Sequence, residues 1–139
     1  LLLPLLGPAA CAQGGGGTAA TPAASSRAFQ DTDWTLVDLD GSPFETAEGR
    51  RAPTLTLAGA GPRATGFAGC NRLTGSYEST GDSLRFGAVA TTRMHCEGAM
   101  ELEQRYLAAL EATRRYRVSE SGLELLDAEG AVLAKFRAS

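Results

Sequence analysis

The sequence predicts one small α+β domain, built as a strongly curved antiparallel sheet or a small, partly open β-barrel of about eight short strands, with one helix near residues 97–113. Three observations predict it. Short segments that alternate apolar and polar residues end at turn residues, which is typical of strands with one buried face. The connections between them are short, which favours antiparallel pairing. One late segment has helical spacing instead, and it has to cover part of the sheet.

The strands follow from this alternation. Residues 34–39 (WTLVDL) alternate and end at Asp40-Gly41, a strong turn dipeptide. Residues 53–58 place Leu55 and Leu57 on one face, with threonines on the other. The same reasoning predicts strands at 63–68, 74–79, 83–86, 89–91, 116–119, 123–127 and 132–136.

The helix is predicted from an apolar stripe with helical spacing: Ala99, Leu102, Tyr106, Ala109 and Leu110, widened by Met100 and Leu107. Acidic residues near its start and two arginines just past its end suit the helix dipole. We interpret the pair Glu101 and Glu103 as a solvated helix face.

The N-terminal fifth has a different composition. Residues 1–11 are interpreted as a truncated signal peptide with a lipobox, because the first ten are apolar, uncharged and end in small residues. Ten residues are too few to cross a bilayer, which takes ~20. Residues 12–27 are rich in Gly, Ala and Ser and are expected to form a flexible tether. Residues 28–139 are expected to form the folded domain, which is large enough for one small core.

Cys11 follows the apolar run, at the position where a bacterial lipoprotein carries its acylated cysteine. Ala9 and Ala10 fit a lipobox, whereas Pro8 departs from the Leu-like residue expected three positions before the cysteine. Alternatively, Ala10-Cys11-Ala12 is a site for ordinary signal peptidase, which would cut before Gln13. The Gly-rich segment after Cys11 favours lipidation, so we expect an exported lipoprotein of the cell envelope that contacts a membrane surface through its lipid anchor.

The charge distribution argues against a nucleic-acid partner. The formal net charge is −3, and the arginines are scattered rather than clustered. The sequence also contains no pair of carboxylates placed for acid–base catalysis, so we expect no catalytic residue, no cofactor and no metal.

Cys70 and Cys96 are most simply explained as a disulfide, because two cysteines left in an oxidising compartment tend to pair. Closing this loop would stabilise the domain by about 3.5 kcal/mol on the chain-entropy model. Two alternatives remain open. Cys70 could act as a nucleophile with His95, the one histidine of the chain. A soft metal could bind the cluster Met94, His95, Cys96 and Met100, although both methionines are more often core residues.

The glycines around Cys70 do not form a phosphate loop, because no G-K-[ST] or G-x-G-x-x-G pattern accompanies Gly66, Gly69 and Gly75. We interpret them as bends or bulges in a curved sheet. Asn71 is expected to cap the turn by hydrogen-bonding its own backbone.

Taken together, several segments resemble the META domain family, typified by the heat-shock lipoprotein HslJ, over residues 30–137. They are Trp34-Thr35-Leu36 with Gly41, GFAGCNRLTGSY (66–77), LRFGAVATTRMHC (84–96), the helix with Tyr106 and Leu110, and LELLDAEGAVLAKF (123–136). The resemblance implies a lipocalin-like, partly open antiparallel barrel, found in exported and often lipid-anchored bacterial proteins that are associated with stress. No enzymatic activity defines the family. Besides the two cysteines, its signature positions are Gly69, Asn71, Arg72, Thr92, Arg93 and Met94.

The function expected from the sequence is therefore that of a non-enzymatic, exported envelope domain, lipid-anchored and monomeric, which acts in stress resistance through an envelope protein that the sequence does not identify. The alternative is a small-ligand-binding barrel, since barrels of this size can enclose one small molecule. A metal-handling or thiol protein is a third interpretation.

Overall fold

The structure is a computed structural model, which describes residues 29–46 and 49–139. Its elements are β1 (Trp34–Leu39), β2 (Ser42–Pro43), β3 (Thr54–Leu57), β4 (Arg63–Phe67), β5 (Arg72–Thr80), β6 (Ser83–Phe86), β7 (Ala90–Thr91), α1 (Met100–Ala112), β8 (Arg115–Ser119), β9 (Gly122–Leu126) and β10 (Val132–Ala138). The small α+β fold predicted from the sequence is confirmed.

Eight of the strands form a closed antiparallel barrel. The order is β10, β9, β8, β6, β5, β4, β3, β1, and pairing of β1 with β10 closes the circle. The two short strands are not counted among these eight. β2 forms a hairpin with β1, and β7 pairs with β5 on the same side as β6. The narrowest junction is between β6 and β8, where Ser83 and Arg115 form the one paired position. Few hydrogen bonds therefore close the barrel between β6 and β8. Helix α1 packs against β6 and β10.

Alternating side chains fill the barrel interior. On β3, Leu55 and Leu57 are buried while the threonines between them face outward. Leucines of β9 do the same from the opposite wall. The largest fully buried side chains include Leu36, Leu55, Leu57, Leu84, Leu110, Leu123, Leu125, Tyr106 and Phe136. These side chains form one continuous hydrophobic core.

Helix α1 covers the end of the barrel where β3 begins and β4 ends. From it, Tyr106 reaches into the core, where its hydroxyl donates to the carbonyl oxygen of Thr54 at 2.8 Å and its ring packs near Phe136. Burial raises the pKa of Tyr106 well above its ordinary value near 10. Arg105, on the same helix, forms a surface ion pair with Asp40. This end of the barrel is thus sealed by the helix.

The opposite end is closed by the first described residues. Phe29 is buried against the rings of Tyr77 and Tyr116, and its carbonyl oxygen accepts a hydrogen bond from the Trp34 indole at 3.0 Å. Asp31 is tied to β3 through its backbone N–H. The chain therefore enters the fold at the end of the barrel that lies away from α1.

The helix is shorter than the predicted 97–113. It begins at Met100, because Gly98 adopts φ +79° and the N–H of Ala99 is bonded to the carbonyl of Cys96 in a turn that precedes the helix. The turn at Asp40-Gly41 is confirmed, with both residues at positive φ. The hairpin strand β2 that follows it was not predicted.

Candidate functional site

The site is built on the tight turn that joins β4 to β5. The backbone N–H of Ala68 donates to the carbonyl oxygen of Asn71 at 2.8 Å and closes this turn. Gly69 sits in it at φ +118°, a conformation that side chains with a Cβ rarely adopt. Just before the turn, a Cβ on Gly66 would overlap the carbonyl oxygen of Thr54 on β3. Glycine is therefore needed at position 69 for the bend of the turn and at position 66 for the close approach of β3, whereas the strand pairings through Gly66 and Gly75 contain no bulge.

A buried carboxylate from α1 binds the turn. Glu103 is only 4% exposed, and its Oε1 accepts the backbone N–H groups of Cys70 at 3.0 Å and Asn71 at 2.7 Å. Its Oε2 accepts the side-chain amide of Asn71 at 2.8 Å. The Glu103 carboxylate thus accepts three hydrogen bonds. It satisfies the buried N–H groups of the turn and fixes α1 against the turn.

The side-chain amide of Asn71 makes all four of the hydrogen bonds that it can make. Besides the bond to Glu103, its Nδ2 donates to the carbonyl oxygen of Met94 at 3.0 Å. Its Oδ1 accepts the hydroxyl of Thr92 at 2.9 Å and the backbone N–H of Met94 at 2.6 Å. The Thr92 hydroxyl also accepts the N–H of Arg72 at 3.1 Å. Asn71 therefore joins three segments of the chain: the turn, the segment after β7 and the helix.

A disulfide adds a covalent link between the same segments. Cys70 and Cys96 are bonded, with their Cα atoms 5.7 Å apart. The backbone N–H of Cys96 points at the sulfur of Met100, the first residue of α1, at 3.5 Å. The predicted pairing of these cysteines is thus present, and it lies just before the helix begins.

The outer side of the site carries different chemistry. Arg72, Arg93, Met94 and His95 are all exposed, and Met94 is the large hydrophobic side chain that stands out at 59% exposure. Hydrogen bonds with Thr92 and Asn71 hold the backbone at Arg72 and Met94, whereas all four side chains are exposed to solvent. The site thus has a saturated polar interior and a cationic exterior that displays one thioether.

A family model for the META domain matches residues 27–139. The chain belongs to the META domain family. This agrees with the resemblance found in the sequence, and the two family signatures are two of the three segments that Asn71 joins.

Solved structures support the same fold. A protein from Burkholderia xenovorans, determined by NMR, is 30% identical with a TM-score of 0.66, and the match covers 93% of this chain and 95% of that one. A second NMR structure is 19% identical, covers 80% of this chain and 92% of the other, and has a TM-score of 0.62. A DUF4847 family protein from Bacteroides vulgatus is 14% identical over 78% of this chain and 93% of its own, with a TM-score of 0.58. The last two show similarity of fold alone. No curated protein matches the chain significantly.

The remaining sequence predictions have mixed outcomes. Cys11 and the lipobox lie outside the described residues. No group of three or more His, Cys, Asp or Glu side chains within residues 29–46 and 49–139 is placed to hold a metal. Of the four metal ligands considered, Cys96 is in the disulfide and the sulfur of Met100 faces an N–H group. The same disulfide occupies Cys70, the nucleophile that was considered with His95. In the part of the chain that the structure describes, no helix is long and apolar enough to cross a membrane.

Two residue interpretations were wrong. Asn71 does not cap its own turn through its side chain, because its amide is used by Thr92, Met94 and Glu103. Glu103 is not on a solvated helix face. A signal for its burial was present, because Glu103 follows Ala99 by four residues and precedes Tyr106 by three, so it falls on the buried stripe.

Met94 also differs from expectation, since it is an exposed residue rather than part of the core. The segment that carries it runs along the outside of the turn, where the hydrogen bonds to Asn71 fix its backbone. Apolar character alone did not reveal this placement.

A groove lies outside the barrel, between α1 and the chain from Phe86 to Thr91. It has a volume of about 580 Å³ and is lined by Phe86, Val89, Thr91, Gln104, Leu107 and Glu111. It is separate from the barrel interior, which the core side chains fill.

Proposed function

We propose that this META domain is a non-enzymatic, exported domain of the bacterial cell envelope, anchored to a membrane by lipid on Cys11, and that it acts in stress resistance by binding an envelope protein through the exposed half of its signature. The observation that carries the proposal is the division of the signature into two halves. The buried half holds the backbone, and the exposed half presents Arg72, Arg93 and Met94 to solvent.

The polar atoms of the buried half are hydrogen-bonded within the protein. The polar atoms of Asn71 are saturated, and the Glu103 carboxylate already accepts three donors. Groups that serve catalysis need a free atom directed at a substrate, whereas these atoms face one another. This arrangement favours a structural role for the signature's interior over a catalytic one.

In the exposed half, hydrogen bonds hold the backbone of Arg72 and Met94 in place, which suits a binding surface. Rigid presentation lowers the entropy lost on association. Arg93 directly precedes Met94, and Arg72 is hydrogen-bonded to Thr92, two residues before Met94. Arginine and methionine are both enriched at protein interfaces. An acidic, partly apolar surface on an envelope protein would complement this patch in charge.

Export and anchoring are supported by different observations. A disulfide between Cys70 and Cys96 suits an oxidising compartment. The apolar run before Cys11 and the Gly-rich segment after it match the layout of a lipoprotein N-terminus. Mass spectrometry of the membrane fraction tests this directly: we expect a mature N-terminus at Cys11 that carries acyl chains, and a Cys11→Ser variant that leaves the membrane. An unmodified N-terminus at Gln13 would refute the anchor.

The partner can be tested by affinity capture from envelope extracts. We expect a double variant, Arg72→Ala with Arg93→Ala, to lose a protein that the wild-type domain captures. Arg85→Ala with Arg137→Ala is the matched control, because both of these arginines are exposed on strands away from the signature. Equal capture by all three proteins would contradict the proposed surface.

Binding of a small molecule is a second candidate, favoured by the groove between α1 and residues 86–91. Its volume lies within the ~300–1,000 Å³ common for ligand sites. Screening small apolar amides and acids by NMR would test it, with Leu107→Trp as a variant that fills the groove. Shifts confined to groove residues and lost in this variant would support the candidate, whereas no shifts would end it.

A further inference from the structure

The described residues contain four sulfur atoms in three different states. Those of Cys70 and Cys96 are joined in the disulfide. Met100 is half-buried, and its sulfur faces the N–H of Cys96. Met94 is 59% exposed. Since oxidation of a thioether follows its accessibility, an oxidant reaches the Met94 sulfur more easily than the Met100 sulfur, while the two cysteine sulfurs are already oxidised to the disulfide.

The setting of Met94 separates its side chain from the fold. Its N–H donates to Asn71 Oδ1 at 2.6 Å, and its carbonyl oxygen accepts from Asn71 Nδ2 at 3.0 Å. Both backbone bonds are made by the same buried amide, so they do not depend on the chemistry of the Met94 side chain. Arg93 and His95 on either side of it are exposed. A change at the sulfur would therefore alter the surface without disturbing the interior.

We propose that Met94 is a site of reversible oxidative modification, at which a peroxide converts the thioether to methionine sulfoxide. The sulfur attacks one oxygen of the peroxide, an S–O bond forms and the O–O bond breaks. Sulfur loses two electrons, the peroxide is reduced, and the proton on the transferred oxygen passes to the departing hydroxide to give water. Methionine sulfoxide reductase reverses the change. This inference stands independently of the proposed function.

The consequence is a polarity switch on the exposed face of the signature. Oxidation replaces a flexible apolar group with a polar, chiral one at the centre of the patch between Arg93 and His95. Cys70 and Cys96 do not compete for the oxidant, because they are already joined in the disulfide.

The test is oxidation of the intact domain with dilute hydrogen peroxide, followed by trypsin digestion and peptide sequencing by mass spectrometry. After reduction of the disulfide, cleavage after Arg93 and Arg105 places both methionines in one peptide, 94–105, which makes Met100 an internal control. We expect Met94 to gain one oxygen on the order of ten-fold faster than Met100 in the folded protein. In urea the two rates should become equal. Equal rates in the folded protein, or faster oxidation of Met100, would overturn the proposal.

Two further measurements separate a surface site from damage to the fold. The singly oxidised protein should keep the thermal midpoint of the untreated protein, and methionine sulfoxide reductase should restore its mass. A Met94→Leu variant should gain oxygen only at the slow rate of Met100 at the same peroxide dose. A large drop in the midpoint on oxidation of Met94, or a sulfoxide that the reductase cannot reach, would contradict a reversible surface switch.

Discussion

Replacing Glu103 should show how much of the domain's stability depends on the buried carboxylate. Glu103→Ala removes the acceptor of three hydrogen bonds and leaves the N–H groups of Cys70 and Asn71 without a partner. An unsatisfied buried donor costs ~1–3 kcal/mol, so we expect a loss of about 3–5 kcal/mol once some water enters the space. Glu103→Gln keeps one oxygen but turns an amide donor toward Asn71 Nδ2, and should cost about 1.5–3 kcal/mol.

Urea unfolding followed by tryptophan fluorescence measures these losses. Trp34 is the single tryptophan and is buried, so it reports on the core. With a slope of about 2 kcal/mol/M, a loss of 3 kcal/mol lowers the urea midpoint by about 1.5 M. Glu101→Gln is the matched control, because Glu101 lies on the same helix but is exposed, and it should stay within about 0.5 kcal/mol of the wild type. If Glu103→Gln behaves like this control, the carboxylate does not hold the turn.

Three other changes probe the rest of the fold. Cys70→Ser should lower the free energy of unfolding by about 3.5 kcal/mol in oxidising buffer but have little effect relative to reduced wild type, and the same denaturation assay with and without reductant checks this. Gly66→Ala should lower the free energy of unfolding by about 1–3 kcal/mol, because its Cβ would overlap the carbonyl of Thr54. Gly61→Ala is the control and should be close to neutral, because the space around Gly61 is open. Equal denaturation midpoints for the two variants would contradict the close approach at Gly66. Stability should also fall as pH rises above ~10, by up to ~1.4 kcal/mol per pH unit for one proton, because the unfolded chain ionises the Tyr106 hydroxyl while burial keeps it protonated in the fold. Unfolding measured from pH 9 to 11 should show a weaker decline in Tyr106→Phe, and identical slopes would count against this explanation.

Local patterns predicted the barrel well because each strand's alternation reflects which face is buried. The predicted strand 34–39 coincides with β1, and 83–86 with β6. Closure of the barrel could not be derived in this way, because pairing of β1 with β10 joins the two ends of the domain. The helix start was placed early for a local reason, since Gly98 at positive φ interrupts a pattern that otherwise looks continuous.

The site was predicted in part. Both cysteines and the polar signature residues were identified, and they do lie together around the β4–β5 turn. The hydrogen-bond partners of Asn71 were not predicted, because they lie 21 to 32 positions away along the chain. Glu103 was missed because charged residues on helices are usually solvated, and its place on the apolar stripe was outweighed by its charge. Whether such a carboxylate is buried depends on donors supplied by a distant turn.

Because Phe29 closes one end of the barrel and α1 covers the other, the two ends of the domain are different. Phe29 packs on Tyr77, and the stretch of β5 from Arg72 to Tyr77 spans roughly 17 Å at ~3.3 Å per residue. That distance is about twice the ~8 Å over which charges are screened at physiological ionic strength. Arg72 therefore lies at the opposite end of the barrel from Phe29, beyond the distance over which a charge at the Phe29 end would act on it in solution.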